Sequence, residues 1–355
     1  MGAWRPGGIR PVDVRVLRQL GRELPDGFRR ADRAPANPHR DAGGAGRAFQ
    51  RCRLRRLQRR LRCGRASRRG ARACACGIPG GGAGTRRARA RLPGRERRRG
   101  AYPVRAILLC AGFATRLRPL TDDQPKPLLP VRGRPLLDDL VDQLVATGRV
   151  DHLVVVTNGR FAGHFEAWCD ARARSSPESR IDLVNDGALG NESRLGAVGD
   201  LALALETFPA SGPTLVAAGD NLFRFDLPAF LGDCAQRPRN LILSYREPDL
   251  ARLRRSGVAV LGPGRRVERF VEKPADPPAD CACPPLYCFE PSALALVPEF
   301  LGSEPAADPP GGFLAWLVAR EPVFAHEMRG SRFDVGTVEA YRAAEAWLDA
   351  RDADS

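Results

Sequence analysis

Residues 106–121 read AILLCAGFATRLRPLT, and residues 124–130 read QPKPLLP. The run from Ala106 to Cys110 is apolar on both alternating faces, as a strand buried in the middle of a parallel sheet requires. It breaks at Ala111-Gly112 into small residues that lead to Arg116. A strand that stops in a small-residue loop carrying a cation is how an α/β sheet commonly holds phosphate. Lys126 follows between Pro125 and Pro127, whose rigid φ angles restrict where its ammonium points.

Charge divides the chain around this stretch. Residues 1–100 hold 29 arginines, no lysine and six acidic residues, a net +23 against +16 for all 355 residues. The remainder is mildly acidic and long enough to build a full core. The expected organisation is therefore an Arg-rich extension over residues 1–103 and one globular domain over 104–355. The extension has few large apolar residues, so its composition predicts disorder, with one possible basic helix at 51–62. A basic run of this kind binds polyanions, including nucleic acid, if it is made. A third reading is that Val104, as a GTG codon, is the true start of the protein.

Lys126 and Lys273 are the only lysines beside 55 arginines, and both precede proline. A compact ammonium is not interchangeable with a guanidinium at a fitted phosphate site, which marks both positions. The ten cysteines show no paired Cys-x2-Cys spacing. Reduced thiols in a cytoplasmic protein are the favoured reading. No apolar run is long enough for a membrane span, and no signal core opens the chain.

From residue 105 the pattern alternates strand and helix. Pro135 opens a helix with Leu136, Leu137, Leu140, Val141 and Leu144 on one face, and a strand follows to Thr157. A helix from Phe161 to Ala171, strands Ile181–Asn185 and Thr214–Ala218, and a helix from Arg194 to Phe208 complete the first half. This order predicts an α/β fold with a mostly parallel central sheet covered on both faces. Later strands, at Leu241–Tyr245, Gly257–Leu261, Val267–Glu272 and Leu286–Phe289, read as shorter and hairpin-like.

Four motifs fall at expected strand ends. The first is the loop from Gly112 to Arg116 with Lys126. The second, TLVAAGDN (214–221), ends a buried strand in Gly219 and delivers Asp220, placed either to hold Mg²⁺ or to cap a turn. The third, VERFVEKP (267–274), carries Glu272 and Lys273. Adjacent strand residues face opposite ways, so only one enters the cleft unless the strand is already ending. The fourth, RFDVGT (332–337), carries Asp334 as a second metal ligand or a cap, with Thr337 opening a terminal helix. Between them, Asn185 to Gly196 forms a polar loop suited to reading a base or a sugar, or simply to capping the next helix.

In that order and spacing, LLCAGFATRLRPLT…PKPLLPV, LVAAGDN, FVEKP and RFDVGT resemble the sugar-phosphate nucleotidyltransferases (NDP-sugar pyrophosphorylases), over about residues 104–350. The resemblance implies a Rossmann-like nucleotidyltransferase fold with a small hairpin-rich sugar-binding subregion. It implies the reaction NTP + sugar 1-phosphate → NDP-sugar + pyrophosphate, with Mg²⁺. Under it Ala111, Gly112 and Thr115, with Asn185 and Gly196, meet the nucleotide, and Arg116 and Lys126 are catalytic through the triphosphate charge. Gly257, Glu272 and Lys273 hold the sugar phosphate, and Asp220 and Asp334 hold the metal. Ala114 stands where the family often has glycine, so the loop is not expected to use positive φ freely there. Two other readings stay open: a cytidylyltransferase for a non-sugar phosphate such as phosphocholine, and a non-catalytic sugar-nucleotide regulator. Scarce aromatics lean away from choline.

Overall fold

The computed structural model describes residues 104–176, 179–236, 239–303 and 310–352. The expectations for residues 1–103, including the basic helix at 51–62, lie outside the described residues.

The chain begins its described course with β1 (Val104–Leu109), a two-residue pair β2 (Pro130–Val131) and β3 (Arg134–Pro135), the helix Leu136–Ala146, and β4 (Val150–Thr157). The helix Ala162–Ser175, β5 (Ile181–Asn185), the helix Ala197–Thr207, β6 (Thr214–Ala218) and β7 (Asn221–Phe225) follow. After the helix Leu227–Gln236 come β8 (Asn240–Arg246), β9 (Gly257–Leu261), β10 (Val267–Glu272), β11 (Cys281–Cys283) and β12 (Leu286–Phe289). Helices Val297–Ser303 and Pro310–Val318 lead to β13 (Val323–Glu327), β14 (Gly330–Asp334) and the helix Val338–Asp352.

The large sheet runs β10-β9-β11-β8-β12-β6-β1-β4-β5, with β13 beside β8. The four strands β6-β1-β4-β5 are parallel, and β1 lies between β6 and β4. This is the mostly parallel α/β core expected from the apolar strand runs. Along β1, Ala106 and Leu108 enter one core while Ile107 enters the other, which is why its pattern is apolar on both faces. Leu137, Leu140, Leu144, Phe165 and Phe230 cover the first face; Leu201, Phe300, Phe313 and Leu317 cover the second. Each such side chain, fully buried, contributes roughly 1.5–3 kcal/mol.

Two later strands depart from the hairpin expectation. β9 and β10 do form an antiparallel hairpin. β12, however, inserts antiparallel between β6 and β8, so it and β8 belong to the central sheet. Residue alternation reports which face a strand buries, not which distant strand it joins, so the pairing was not readable locally.

A third, smaller core decides where the second aspartate goes. Leu117, Leu129 and Val131 pack with Leu222 of β7 and with Val335, Ala344 and Leu348 from the C-terminal segment. This packing holds β14 antiparallel on β7, with Asp334 opposite Asn221. Arg224 adds two bonds of 2.9 Å to the Asp139 carboxylate, and Arg132 pairs with Asp349 and Asp352 of the last helix.

Candidate active site

The carboxyl ends of β1 and β6 meet the Pro-Lys-Pro segment. Gly219 donates its N–H to the Leu109 carbonyl at 3.2 Å, closing the two strand ends together. Buried Asn158 donates to the Ala111 carbonyl at 3.0 Å and accepts from the Phe161 N–H at 3.0 Å, tying the loop after β1 to the helix after β4. Ala111 is therefore buried, while Gly112 is exposed, with no atom within 4 Å of where a Cβ would stand. Thr115 and Arg116 lie exposed in a single 3-10 turn, Thr115–Leu117.

Ala114 takes φ 45°, ψ 43°, the left-handed conformation, contrary to the expectation that alanine would avoid it. Two bonds over-determine it: its carbonyl accepts from Leu117 N at 2.9 Å and from Thr121 Oγ1 at 2.9 Å. A left-handed alanine costs roughly 1–2 kcal/mol, and glycine's extra chain entropy roughly 0.5–1. Ala114→Gly is thus expected to stabilise by about 0.5–1 kcal/mol, a rise of about 1–4 °C in Tm read by calorimetry. A lower Tm would show that the loop carries no such strain.

Lys126 opens one 3-10 turn, Lys126–Leu128, after extended Pro125. Its side chain is only 8% exposed, and Nζ lies 2.8 Å from Asp220 Oδ2 and 3.9 Å from Asp334 Oδ1. The other Asp220 oxygen accepts from Asn221 Nδ2 at 2.8 Å. Burial pushes the Asp220 carboxyl up, but the charge and hydrogen bond of Lys126, with the Asn221 amide, outweigh it and hold the group below its ordinary range. Asp220 and Asp334 thus converge on one cation from neighbouring strands. Among the described residues no cluster of three or more metal-ligating side chains forms a closed cage. Two carboxylates that converge on a positive charge are the oxygen donor set Mg²⁺ takes when phosphate oxygens complete its shell.

On one side of this centre lies the end of the β9–β10 hairpin. Glu272 ends β10 with its side chain 21% exposed, directly beside Gly257, its partner across the hairpin. Lys273 then turns left-handed, φ 48°, and its N–H bonds to the Ser256 carbonyl at 3.0 Å. That turn ends the strand alternation, so both side chains lie on one side: Lys273 Nζ is 3.7 Å from Glu272 Oε1, exposed to solvent. Burial raises the Glu272 carboxyl, and Lys273 only partly offsets it. A carboxyl raised on folding takes up protons in the native state, so its cost to stability grows as pH rises through that range. Glu272→Gln is accordingly expected to raise Tm at pH 7, more than at pH 4, while raising the KM of a hydroxylated substrate about 10-fold; an equal Tm gain at both pH values would contradict the assignment.

On the opposite side of the sheet lies the polar loop. Asn185 ends β5, and its Oδ1 accepts from Gly187 N at 2.8 Å. A Cβ at Gly159 would stand 3.0 Å from the Gly187 backbone carbon. The helix expected from Arg194 begins at Ala197, because Gly196 at φ 81° separates it from a short turn at Asn191–Ser193. Leu189 projects from this loop, 72% exposed. Sheet order therefore sets Asn185 and Gly196 on one flank of Lys126, Asp220 and Asp334, and Gly257, Glu272 and Lys273 on the other.

Residues 105–350 match the family model described as nucleotidyl transferase. The chain belongs to the nucleotidyl transferase family. A UTP–glucose-1-phosphate uridylyltransferase of Haloferax volcanii is 30% identical over 193 residues, 53% of this chain and 73% of the relative. A mannose-1-phosphate guanylyltransferase of Mycobacterium tuberculosis is 29% identical over 198 residues, 56% and 52% of the two chains. A solved UDP-glucose pyrophosphorylase, complexed with UDP-glucose, superposes with a TM-score of 0.59 at 19% identity, covering 70% of this chain and 99% of that one. At that identity it is the fold that is shared.

Three further residues of the candidate site carried no role in the sequence reading. Asn221 fixes Asp220 and itself accepts from Arg332 Nη1 at 3.1 Å. Gly311 lies under Glu272: a Cβ there would be driven into the Glu272 carboxylate and would sit 3.1 Å from Phe270 Cε1. Asn221 and Arg332 are end residues of the motifs at 214–221 and 332–337, so their neighbours were a signal. Gly311 follows two prolines and had none, because its role depends on a helix packed across β10.

Proposed function

We propose that the protein transfers a nucleotidyl group from an NTP to a sugar 1-phosphate, releasing pyrophosphate. The observation that carries this reading is the Lys126 ammonium enclosed between Asp220 and Asp334 at the carboxyl ends of the parallel strands. In the reaction an oxygen of the sugar 1-phosphate attacks the α-phosphorus of the NTP. The bond from that phosphorus to the β-bridging oxygen breaks, and pyrophosphate leaves. The attacking oxygen is already an anion, so no base is needed; positioning and charge neutralisation do the work.

Each part of the site has one task in this reading. Ala111, Gly112 and Thr115 present backbone and hydroxyl to the nucleotide, and Asn185 and Gly196 border its base. Arg116 and Lys126 counter the triphosphate. Two phosphate charges brought to about 4 Å repel by about 4 kcal/mol at an effective dielectric of about 20, so every cation nearby counts. Asp220 and Asp334 would hold Mg²⁺, which supplies charge neutralisation on the phosphate oxygens. Glu272 accepts from sugar hydroxyls across the floor made by Gly257 and Gly311, and Lys273 faces the sugar phosphate. Cytoplasmic residence fits the six free thiols among the described residues.

The test is pyrophosphate release with each of the four common NTPs against glucose 1-phosphate, mannose 1-phosphate and phosphocholine, with and without MgCl₂. Turnover confined to a sugar 1-phosphate and dependent on Mg²⁺ is the expected result. Turnover with phosphocholine and CTP alone would replace the acceptor, and none with any pair would overturn the reading.

A further inference from the structure

We propose that Arg332 binds the phosphate of the acceptor, as the partner of Lys273, and so sets the affinity for the sugar 1-phosphate rather than for the NTP; this rests on the nucleotidyl-transfer reading above. Arg332 is in β14, two residues before Asp334. Its guanidinium donates through Nη1 to Asn221 Oδ1 at 3.1 Å and lies 5.8 Å from the centre of the Tyr245 ring. No carboxylate of the described residues pairs with it, whereas neighbouring Arg224, on the facing strand β7, is held by Asp139 and Asp352. A half-buried guanidinium without a carboxylate is costly, and an anionic ligand relieves that cost.

Its position fits the acceptor. Through Asn221 it stands next to Asp220, on the metal side. On the other side it lies over Tyr245 of β8, which pairs through Ala282 of β11 with Val258 of β9, beside Gly257 and its partner Glu272, so the guanidinium stands between Asp220 and the strands that carry the sugar subsite. An acceptor phosphate attacking the α-phosphorus must occupy that interval. Lys126 is pinned on Asp220 and cannot serve there. Lys273 alone offers an exposed, mobile point charge, 57% open to solvent. Arg332 adds the planar fork that matches phosphate geometry, with its stem fixed by β14 and its head fixed by Asn221.

The experiment compares the wild type with Arg332→Gln, Arg332→Met and Arg332→Lys in steady-state pyrophosphate release, on the NTP and sugar 1-phosphate pair the wild type uses best. The methionine variant keeps the stem that covers Tyr245, and melting curves verify folding. The expected result is a KM for the sugar 1-phosphate raised 10-fold or more in the glutamine and methionine variants, partly recovered in the lysine variant. The KM for the NTP and the MgCl₂ concentration for half activation should stay within twofold. An unchanged acceptor KM would overturn the proposal. So would an equal rise in the MgCl₂ requirement, which would make Arg332 a positioning residue acting through Asn221 and Asp220. A wild type inactive with every pair would instead overturn the reaction itself.

Discussion

Lys126→Ala is expected to lower kcat for pyrophosphate release by about 10²–10³-fold, the usual effect of removing one preorganised charge from a phosphoryl-type transition state. The side chain is buried and lies 2.8 Å from Asp220, so its loss acts twice. It removes a cation from the triphosphate, and it leaves Asp220 with burial and without its main counter-charge. Asp220 is itself a third exposed, so the stability cost falls between an exposed and a fully buried pair, about 1–3 kcal/mol.

The pH dependence has a definite sign. The Asp220 carboxyl sits below its unfolded value in the native protein, so the pair's contribution is complete above the ordinary carboxylate range. It is lost as pH falls through the depressed native value. Without Lys126 the carboxyl rises, and the acid limb of the kcat profile should move to higher pH. Measuring kcat from pH 4 to 8 in both proteins decides it. A Lys126→Ala enzyme within threefold of wild type, or with an unmoved acid limb, would remove Lys126 from the mechanism. Lys126→Arg is expected to recover little, because a planar guanidinium does not fit a buried site shaped for an ammonium.

Gly219→Ala is expected to damage the protein from beneath the site. A Cβ at this position would be driven into the Sγ of buried Cys110 and would stand 3.1 Å from Leu137 Cδ1 and 3.8 Å from Pro127 Cβ. Cys110 continues β1, Gly219 continues β6 and Pro127 follows Lys126, so one added methyl pushes apart three segments that carry the site. Overpacking of this kind costs about 1–3 kcal/mol. Asp220, the next residue, shifts with the backbone, so kcat should also fall by about 10-fold or more, as small misplacements commonly cause. Cys110→Ala removes the sulfur in the way. The double variant should therefore be more stable than Gly219→Ala alone, with a coupling of about 1 kcal/mol or more. Strictly additive losses in denaturant unfolding would show that Gly219 and Cys110 do not share this contact.

Much of the candidate site could be read locally, because the proposed phosphate chemistry needs particular residue types at strand ends. The Ala106–Cys110 run marks β1, and the single lysine between two prolines marks the cation beside it. Asp220 announces itself by ending an apolar run, and Glu272 and Lys273 by ending an alternating strand before Pro274. Ala114 is where local reasoning misled: its propensity argues against a left-handed angle, yet bonds from Leu117 and Thr121 impose one. Hydrogen bonding within the loop outweighs a preference of about 1–2 kcal/mol when two bonds depend on it.

By itself the amino-acid sequence determined the α/β pattern of β1 to β6, the residues that end its strands, and the placing of the two lysines, Lys126 and Lys273, each beside a proline. These follow from local rules: apolar alternation, proline and glycine geometry, and the chemistry of charge. Only the tertiary structure decided that β14 pairs with β7, which brings Asp334 to Lys126 across more than 200 residues of sequence. It alone laid Gly311 beneath Glu272 and set Arg332 on Asn221, with no carboxylate partner among the described residues. Such placements depend on which distant surfaces bury each other, here the small core of Leu117, Leu222, Val335 and Leu348, and no local window of sequence contains that information.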